Sequence, residues 1–372
     1  MGKFGKKNHV SLNPLDCSII FMGSPKIGKT RLMKEVAEKL VGENGYIFLE
    51  MFREVGASKI ENIVYEDVET WSKFEEIVSD IEENKATDYP ELRTIFMDTW
   101  DNAILLAEKE AIRIYNKENP DNKKKTISEI YGGWQRGQDK AGDLLDDMIF
   151  RLEQVGVKVS IIMHLKSKSI VDAVTEKEFQ QVTADVTQKY FGRIKRNADV
   201  IAVGYVDRTI VTENTGKKDI KGRDITKDVV KEEARKIKFR DNGYTIDAGG
   251  RLKYIVEEIP FEADAFINAI QDALEKEVEE AGVSLADRKK EDKKRAKEAE
   301  KIALENSSKA KNNKIDEEKN EELIEIIKTN YSEVDDEVKA EVKDIMAKYN
   351  IPNFKTTEVS TKGLEEIVSL LQ

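Results

Sequence analysis

The stretch Gly23-Ser24-Pro25-Lys26-Ile27-Gly28-Lys29-Thr30 limits what this chain can fold into more than any other. It matches G-x-x-x-x-G-K-[ST], a glycine loop that joins a strand to a helix and cradles phosphate. Its flanks agree. Residues 17–22, Cys-Ser-Ile-Ile-Phe-Met, form a short apolar run that reads as a buried strand. After the loop, Leu32, Val36 and Leu40 recur at helical spacing, so 30–40 reads as an amphipathic helix. The first N–H groups of such a helix have no partner within it and converge on an anion. Lys29 can neutralise β- and γ-phosphates, and Thr30 can ligate Mg²⁺. The expected nucleotide segment is therefore Gly23, Ser24, Pro25, Lys26, Ile27, Gly28, Lys29 and Thr30, with Arg31 in the first helical turn. The cofactors it implies are ATP and Mg²⁺.

The residues that follow supply candidates for the rest of such a site. Tyr46-Ile47-Phe48-Leu49 reads as the next strand, with Glu50 and Glu54 where it should end. Ligands of open α/β sheets sit beyond the carboxyl ends of strands. A carboxylate there can polarise an attacking water, and the spacing leaves either acid open for that role. Residues 67–84 read as a helix with Trp71, Phe74, Ile77 and Ile81 on one face. Leu92-Arg93-Thr94-Ile95-Phe96-Met97-Asp98 is an apolar strand ending in an acid, and Asp98 can hold Mg²⁺ through water opposite Thr30. Thr99, Asp101 and Asn102 crowd the same strand end, where they can support the metal. Residues 102–115 and 138–154 read as helices, and 157–163 as a strand ended by His164. His164 falls in the row of the phosphate loop and Asp98, where a polar side chain can touch γ-phosphate. Residues 116–134 read as a polar loop carrying Tyr131 and Trp134, and 165–189 as a mixed segment rich in lysine. A strand is expected over 198–205. Residues 234–240 and 243–246 look like an antiparallel pair turning at Asp241-Asn242-Gly243. Arg251 then follows a glycine pair.

Alternating strands and helices predict an α/β fold with a mainly parallel sheet and helices on both faces. Composition divides the 372 residues further. Residues 1–14 form a basic arm, and 15–272 the sheet-bearing core. Residues 273–318 contain a charged run that reads as a solvated helix or disordered linker, and 319–372 form a small all-helical unit. A net charge of −11 argues against a wholesale nucleic-acid coat but allows a local basic site. Cys17 is the single cysteine, which excludes a disulfide framework. No stretch is apolar enough to span a membrane. The basic N-terminus lacks the apolar run of a signal peptide, and Lys6 stands where a myristoylation signal needs Ser or Thr. The expectation is a soluble cytoplasmic protein.

On these residues the chain resembles the RecA-like P-loop ATPases, and among them the phage-type, shortened recombinases that act as single-strand annealing proteins. The likeness covers residues 15–272 and rests on Gly23 to Thr30, on Ile95-Phe96-Met97-Asp98-Thr99, and on Ile162-Met163-His164. Asn197-Ala198-Asp199-Val200 and Arg251 add to it. The resemblance implies an ATPase that forms a ring or filament of identical subunits on single-stranded DNA and promotes annealing or strand exchange. In a phage-encoded protein, the compartment would be the host cytoplasm. The resemblance places DNA-binding loops at 116–134 and 165–189, with Lys124, Lys125, Tyr131, Trp134, Lys166 and Lys168 gripping the strand. It also implies a basic finger from a neighbouring subunit, which Arg251 matches best, followed by Arg235 and Arg240. Residues beyond 280 have no counterpart in the shortened proteins. They suit a partner such as a single-strand binding protein or another recombination factor. Two other readings keep the same core: a replicative helicase or its loader, and a non-catalytic scaffold that ATP switches.

Overall fold

A computed structural model describes residues 9–171, 176–218, 224–240, 247–312, 317–331, 334, 336–357 and 359–371. The first half of the chain alternates strand and helix. β1 (Ile19–Gly23) leads to α1 (Lys29–Val41), then β2 (Tyr46–Met51), β3 (Tyr65–Val68) and α2 (Trp71–Asn84). Next come β4 (Thr94–Asp98), α3 (Trp100–Glu118), α4 (Arg136–Gln154), β5 (Lys158–Val171), β6 (Glu178–Ala184) and α5 (Gln188–Lys195). The later elements are β7 (Val200–Lys218), β8 (Asp224–Lys238), β9 (Gly249–Gly250), β10 (Glu258–Pro260), α6 (Ala263–Glu280) and α7 (Leu285–Asn312). Three helices end the chain, α8 (Glu317–Asn330), α9 (Asp336–Lys348) and α10 (Thr361–Leu371).

The strands lie in the order β10-β8-β7-β1-β5-β4-β2-β3. Every pair from β7 to β3 is parallel, and β8, β9 and β10 add an antiparallel edge. The α/β architecture with a mainly parallel sheet is therefore as the alternation predicts. β1 and β4 are buried at every position, which is why they read as continuous apolar runs. Phe21 of β1 is wholly buried and meets Phe261 and Phe266 edge-on, at centroid distances of 6.0 and 5.9 Å. Phe48 and Phe96, opposite each other on β2 and β4, stack at 4.6 Å. The core around Phe21 draws in Leu32, Met33 and Val36 of α1 and Ile270 and Leu274 of α6.

Register decides what meets at the carboxyl edge. Gly23 is level with His164 on one side and with Gly204 on the other. Glu50 is level with Asp98. The end of the phosphate loop's strand, both acids and the histidine thus stand along one edge of the sheet.

Four expectations change. A parallel strand, β3, precedes α2, so the helix expected from residue 67 begins at Trp71. The first three residues of β3, Tyr65, Glu66 and Asp67, are exposed and two of them are charged, which hides the strand pattern. Segment 165–189 is not a mixed loop: β5 runs past His164 and pairs antiparallel with β6, from Leu165–Ala184 to Val171–Glu178. The strand expected over 198–205 likewise continues to Lys218. Residues 234–240 pair back onto β7 instead of opening a separate hairpin. The expected turn at 241–243 and strand at 243–246 lie outside the described residues. In both long hairpins the distal residues are mostly exposed, so no apolar alternation marks them.

The chain divides into two compact units, one of residues 1–75, 91–153 and 157–297, the other of 76–90, 154–156 and 298–372. The charged run from 285 to 312 is helical. In the second unit, Ile327, Val342, Leu364 and Ile367 form a small core, and the buried Asn320 amide donates to the carbonyls of Thr357 and Val359, both at 2.7 Å.

Phe21→Ala removes the ring on which β1 and α6 meet. Urea unfolding should show a loss of about 3–5 kcal/mol with little change in slope. A loss below about 1 kcal/mol would place the core elsewhere.

Candidate nucleotide site

The phosphate loop is built by two conformational demands. Gly28 has φ of +107° and precedes α1, a backbone setting that side chains resist. Lys26 also takes a left-handed φ, +64°. The amide of Leu32 donates to the carbonyl of Gly28 at 3.0 Å, closing the first turn of α1. The Lys29 ammonium is buried and donates to the carbonyls of Gly23 (3.1 Å) and Ser24 (3.3 Å). Burial lowers its pKa, against the pull of Asp98, Glu54 and Asp101.

Thr30 Oγ1 donates to Asp98 Oδ2 at 2.6 Å, so the two expected metal ligands touch. Asp98 is 1% exposed. Burial raises its pKa from 3.8 to about 6, although the Thr30 bond and the Lys29 charge act in the other direction. Hard oxygen donors of this kind suit Mg²⁺, which takes one or two protein ligands and completes its shell from phosphate and water. Two buried oxygens in this region, Glu50 Oε2 and Thr99 Oγ1, have no hydrogen-bond partner. Such atoms are expensive unless a ligand or water satisfies them. The residues present therefore fit the metal.

The two acids differ in setting. Glu50 is 1% exposed, and its Oε1 accepts from the amide of Ala57, so it ties down the loop after β2. Burial pushes its pKa up. Glu54 lines the cleft. Between them, a Cβ placed on Gly56 would lie 3.3 Å from Thr30 Oγ1, 3.6 Å from Glu54 Oε1 and 3.8 Å from Glu50 Oε1. Nothing in the sequence pattern assigns Gly56 a role, yet a side chain there would crowd Thr30 Oγ1.

His164 Nδ1 lies 3.0 Å from Asp101 Oδ2, and the His164 amide donates to Asp101 Oδ1 at 3.2 Å. Burial works to raise the Asp101 pKa, but these bonds and the histidine hold it below its ordinary value. Asp101, expected to support the metal, is bonded to the histidine and orients it. A cleft of about 600 Å³ collects Pro25, Lys26, Gly28, Lys29, Thr30 and Arg31 with Glu54, Asp98, His164 and Arg235. Lys59, which the sequence did not single out, lines it too.

The other candidates stand apart. Arg251 lies where β1 and β7 begin, at the end opposite the phosphate loop. Its amide donates to the Asp199 carbonyl at 2.9 Å, and its guanidinium to Asp199 Oδ1 at 3.3 Å and the Arg196 carbonyl at 2.6 Å. Arg240 donates to the carbonyls of Ile255 and Lys253 at 3.1 and 2.5 Å. Trp134 is 93% exposed, beside Tyr131, whose ring meets Tyr115 edge-on at 5.1 Å. Lys124 is anchored through its backbone, which exchanges hydrogen bonds with the Asn116 side chain at 2.7 and 2.9 Å, and Lys125 is exposed. Lys166 pairs with Asp185 at 3.2 Å, and Lys168 is exposed on β5. No helix among the described residues is long and apolar enough to cross a membrane.

A family model described as an AAA domain matches residues 16–252. No curated protein is similar enough to the chain to count as a relative.

The buried Asp98 costs stability at neutral pH, where it is charged in both states but desolvated only in the folded one. That cost fades as pH falls from about 6 toward 3.8 and the folded carboxyl takes up its proton. Asn cannot ionise. Without nucleotide or Mg²⁺, Asp98→Asn should melt at or above wild type at neutral pH, by up to about 3 kcal/mol. The advantage should vanish near pH ~4. A variant that melts lower at neutral pH would show that the Thr30 bond outweighs the burial.

Proposed function

Because this chain belongs to the AAA domain family, with its P-loop ATPase fold, we propose that it hydrolyses ATP with Mg²⁺ and uses the cycle to work on single-stranded DNA, promoting annealing or strand exchange. The observation that carries the nucleotide reading is the Thr30–Asp98 contact beside the buried Lys29. In this reading Thr30 and Asp98 would hold Mg²⁺, which would supply positive charge beside the phosphates. Lys29 supplies fixed positive charge at the β- and γ-phosphates, in a setting where water screens little. Glu54, the acid that faces the cleft, orients and polarises the attacking water. Glu50 positions the loop that carries Glu54, through its bond to Ala57. His164, held by Asp101, meets the γ-phosphate side of the cleft.

The DNA part of the proposal draws on what lies next to that histidine. β5 continues from His164 straight into the hairpin that bears Lys166 and Lys168. Exposed Trp134 and half-buried Tyr131 offer aromatic rings, and Lys124 and Lys125 offer charge. Cations and aromatic rings together grip a strand without reading its sequence. We take the acting form to be a homo-oligomer, ring or filament, in which Arg251 reaches a neighbour's nucleotide. The helices from 319 to 372 would recruit a single-strand binding protein or another recombination factor.

Two tests separate the nucleotide part from the DNA part. Lys29→Ala should lower ATP turnover by at least about 100-fold, since its charge is missing where phosphate charge shifts. Wild-type turnover in that variant would end the ATPase reading. Single-stranded DNA should raise wild-type turnover, and the protein should anneal complementary oligonucleotides. With a net charge of −11, DNA affinity must come from a local patch and fall steeply with salt. Replacing Lys124, Lys125, Lys166 and Lys168 by Glu should abolish DNA binding and leave nucleotide affinity unchanged. DNA affinity that survives this change would move the interface elsewhere.

A further inference from the structure

Arg235 stands where β8 passes the phosphate loop. Its Nη1 donates to the Ile27 carbonyl at 3.3 Å. The same atom lies 3.7 Å from where a Cβ on Gly28 would sit. It lines one cleft with Lys29 and Thr30. Among the described residues no carboxylate pairs with it. The guanidinium has five N–H donors, and a single long bond to a carbonyl leaves most of them unused. Within their own chain the guanidinium groups of Arg240 and Arg251 each make at least two hydrogen bonds, where that of Arg235 makes one among the described residues, and Arg251 lies at the far end of the sheet from this subunit's cleft.

The charge of the cleft points the same way. Lys26, Lys29, Arg31, Lys59 and Arg235 face Glu54 and Asp98, five cations against two carboxylates. A ligand with several negative charges balances that set. Planar guanidinium fits phosphate oxygens in pairs, which a lysine cannot do.

Position on the strand adds a consequence. Arg235 is paired with Val206 of β7, and its carbonyl accepts from the Phe261 amide at 3.2 Å. From Lys236 to Lys238, β8 also pairs with β10. On the other side of Arg235, among the described residues, β7 and β8 pair only with each other out to Lys218 and Asp224. Arg235 therefore sits at the root of a two-stranded arm.

We infer that Arg235 binds the phosphates of the nucleotide held by its own subunit, and so ties nucleotide occupancy to the β7–β8 arm that it roots. The inference rests on the ATP-binding reading above. It differs from a finger that reaches in from a neighbour, because the side chain already bonds the phosphate loop of its own chain.

The test uses the full-length protein, a fluorescent ATP analogue with Mg²⁺, and amide hydrogen exchange. Arg235 is exposed, so Arg235→Ala should fold, as a melting curve without nucleotide will show. Its affinity for the analogue should fall by about tenfold or more, and Arg235→Lys should fall in between. In wild type the analogue should slow exchange in the arm. In Arg235→Ala a saturating dose should leave the arm unchanged while still protecting the phosphate loop. Mixing Arg235→Ala with Lys29→Ala should restore no hydrolysis, since a working site needs both residues from one chain. Recovery on mixing would make Arg235 a neighbour's residue and overturn the inference. Wild-type affinity in Arg235→Ala would overturn it as well. A wild-type protein that fails to bind the analogue would instead refute the ATP reading on which it rests.

Discussion

Burial of β1 on both faces is the constraint from which the rest of this structure follows. A strand with no wet face must have neighbours on each side and layers above and below. Here β5 and β7 flank it, and the Phe21 ring locks α6 against it. Parallel pairing then fixes which residues end level with one another. Gly23, His164 and Gly204 share a row, and Glu50 is level with Asp98 through β2 and β4. A slip of one residue would turn the side chains of His164, Glu50 and Asp98 to the opposite face. The site's geometry is thus a property of sheet register, held by core residues that never touch a ligand.

That rigidity permits an arrangement of charges that would not persist on a mobile surface. Lys29, Asp98 and Glu50 are all buried. Each loses hydration, and burial pushes the lysine's pKa down and both acids' up. Attraction between Lys29 and Asp98 offsets only part of that loss, since removing charges from water costs several kcal/mol apiece, and Glu50 repels Asp98. Stability is spent on holding unlike charges at fixed positions before a ligand arrives. Preorganisation of this kind spares the reorganisation that water would otherwise undergo when phosphate charge shifts.

What the sequence made legible follows from what each pattern reports. The phosphate loop was readable because a fixed spacing of glycine, lysine and threonine is tied to one backbone shape. β4 and the end of β1 were readable as apolar runs, because burial on both faces leaves no alternation to misread. The same logic explains the misses. In β3, and in the distal parts of β5–β6 and β7–β8, many side chains are exposed, and charged residues occupy positions that a half-buried strand would give to valine. Pairing across such hairpins is a long-range property that a local window cannot contain. Glu50 and Glu54 could not be told apart for a related reason: only the fold of the loop between them sends one to Ala57 and the other to the cleft.

The two hairpins that the sequence concealed bear on how such a site can be coupled to anything beyond it. Each continues a strand of the central sheet past the carboxyl edge, one on either side of β1. Each begins at a residue that lines the cleft, His164 for β5–β6 and Arg235 for β7–β8. In β5–β6 the register runs unbroken from Leu165–Ala184 to Val171–Glu178, whereas in β7–β8 it shifts after Thr209 and again after Asn214, and such irregularities bend a strand. A loop in the same place would absorb a change at its root in its own dihedral angles. The same covalent continuity that hides these segments from pattern reading therefore makes them suited to report the state of the phosphates.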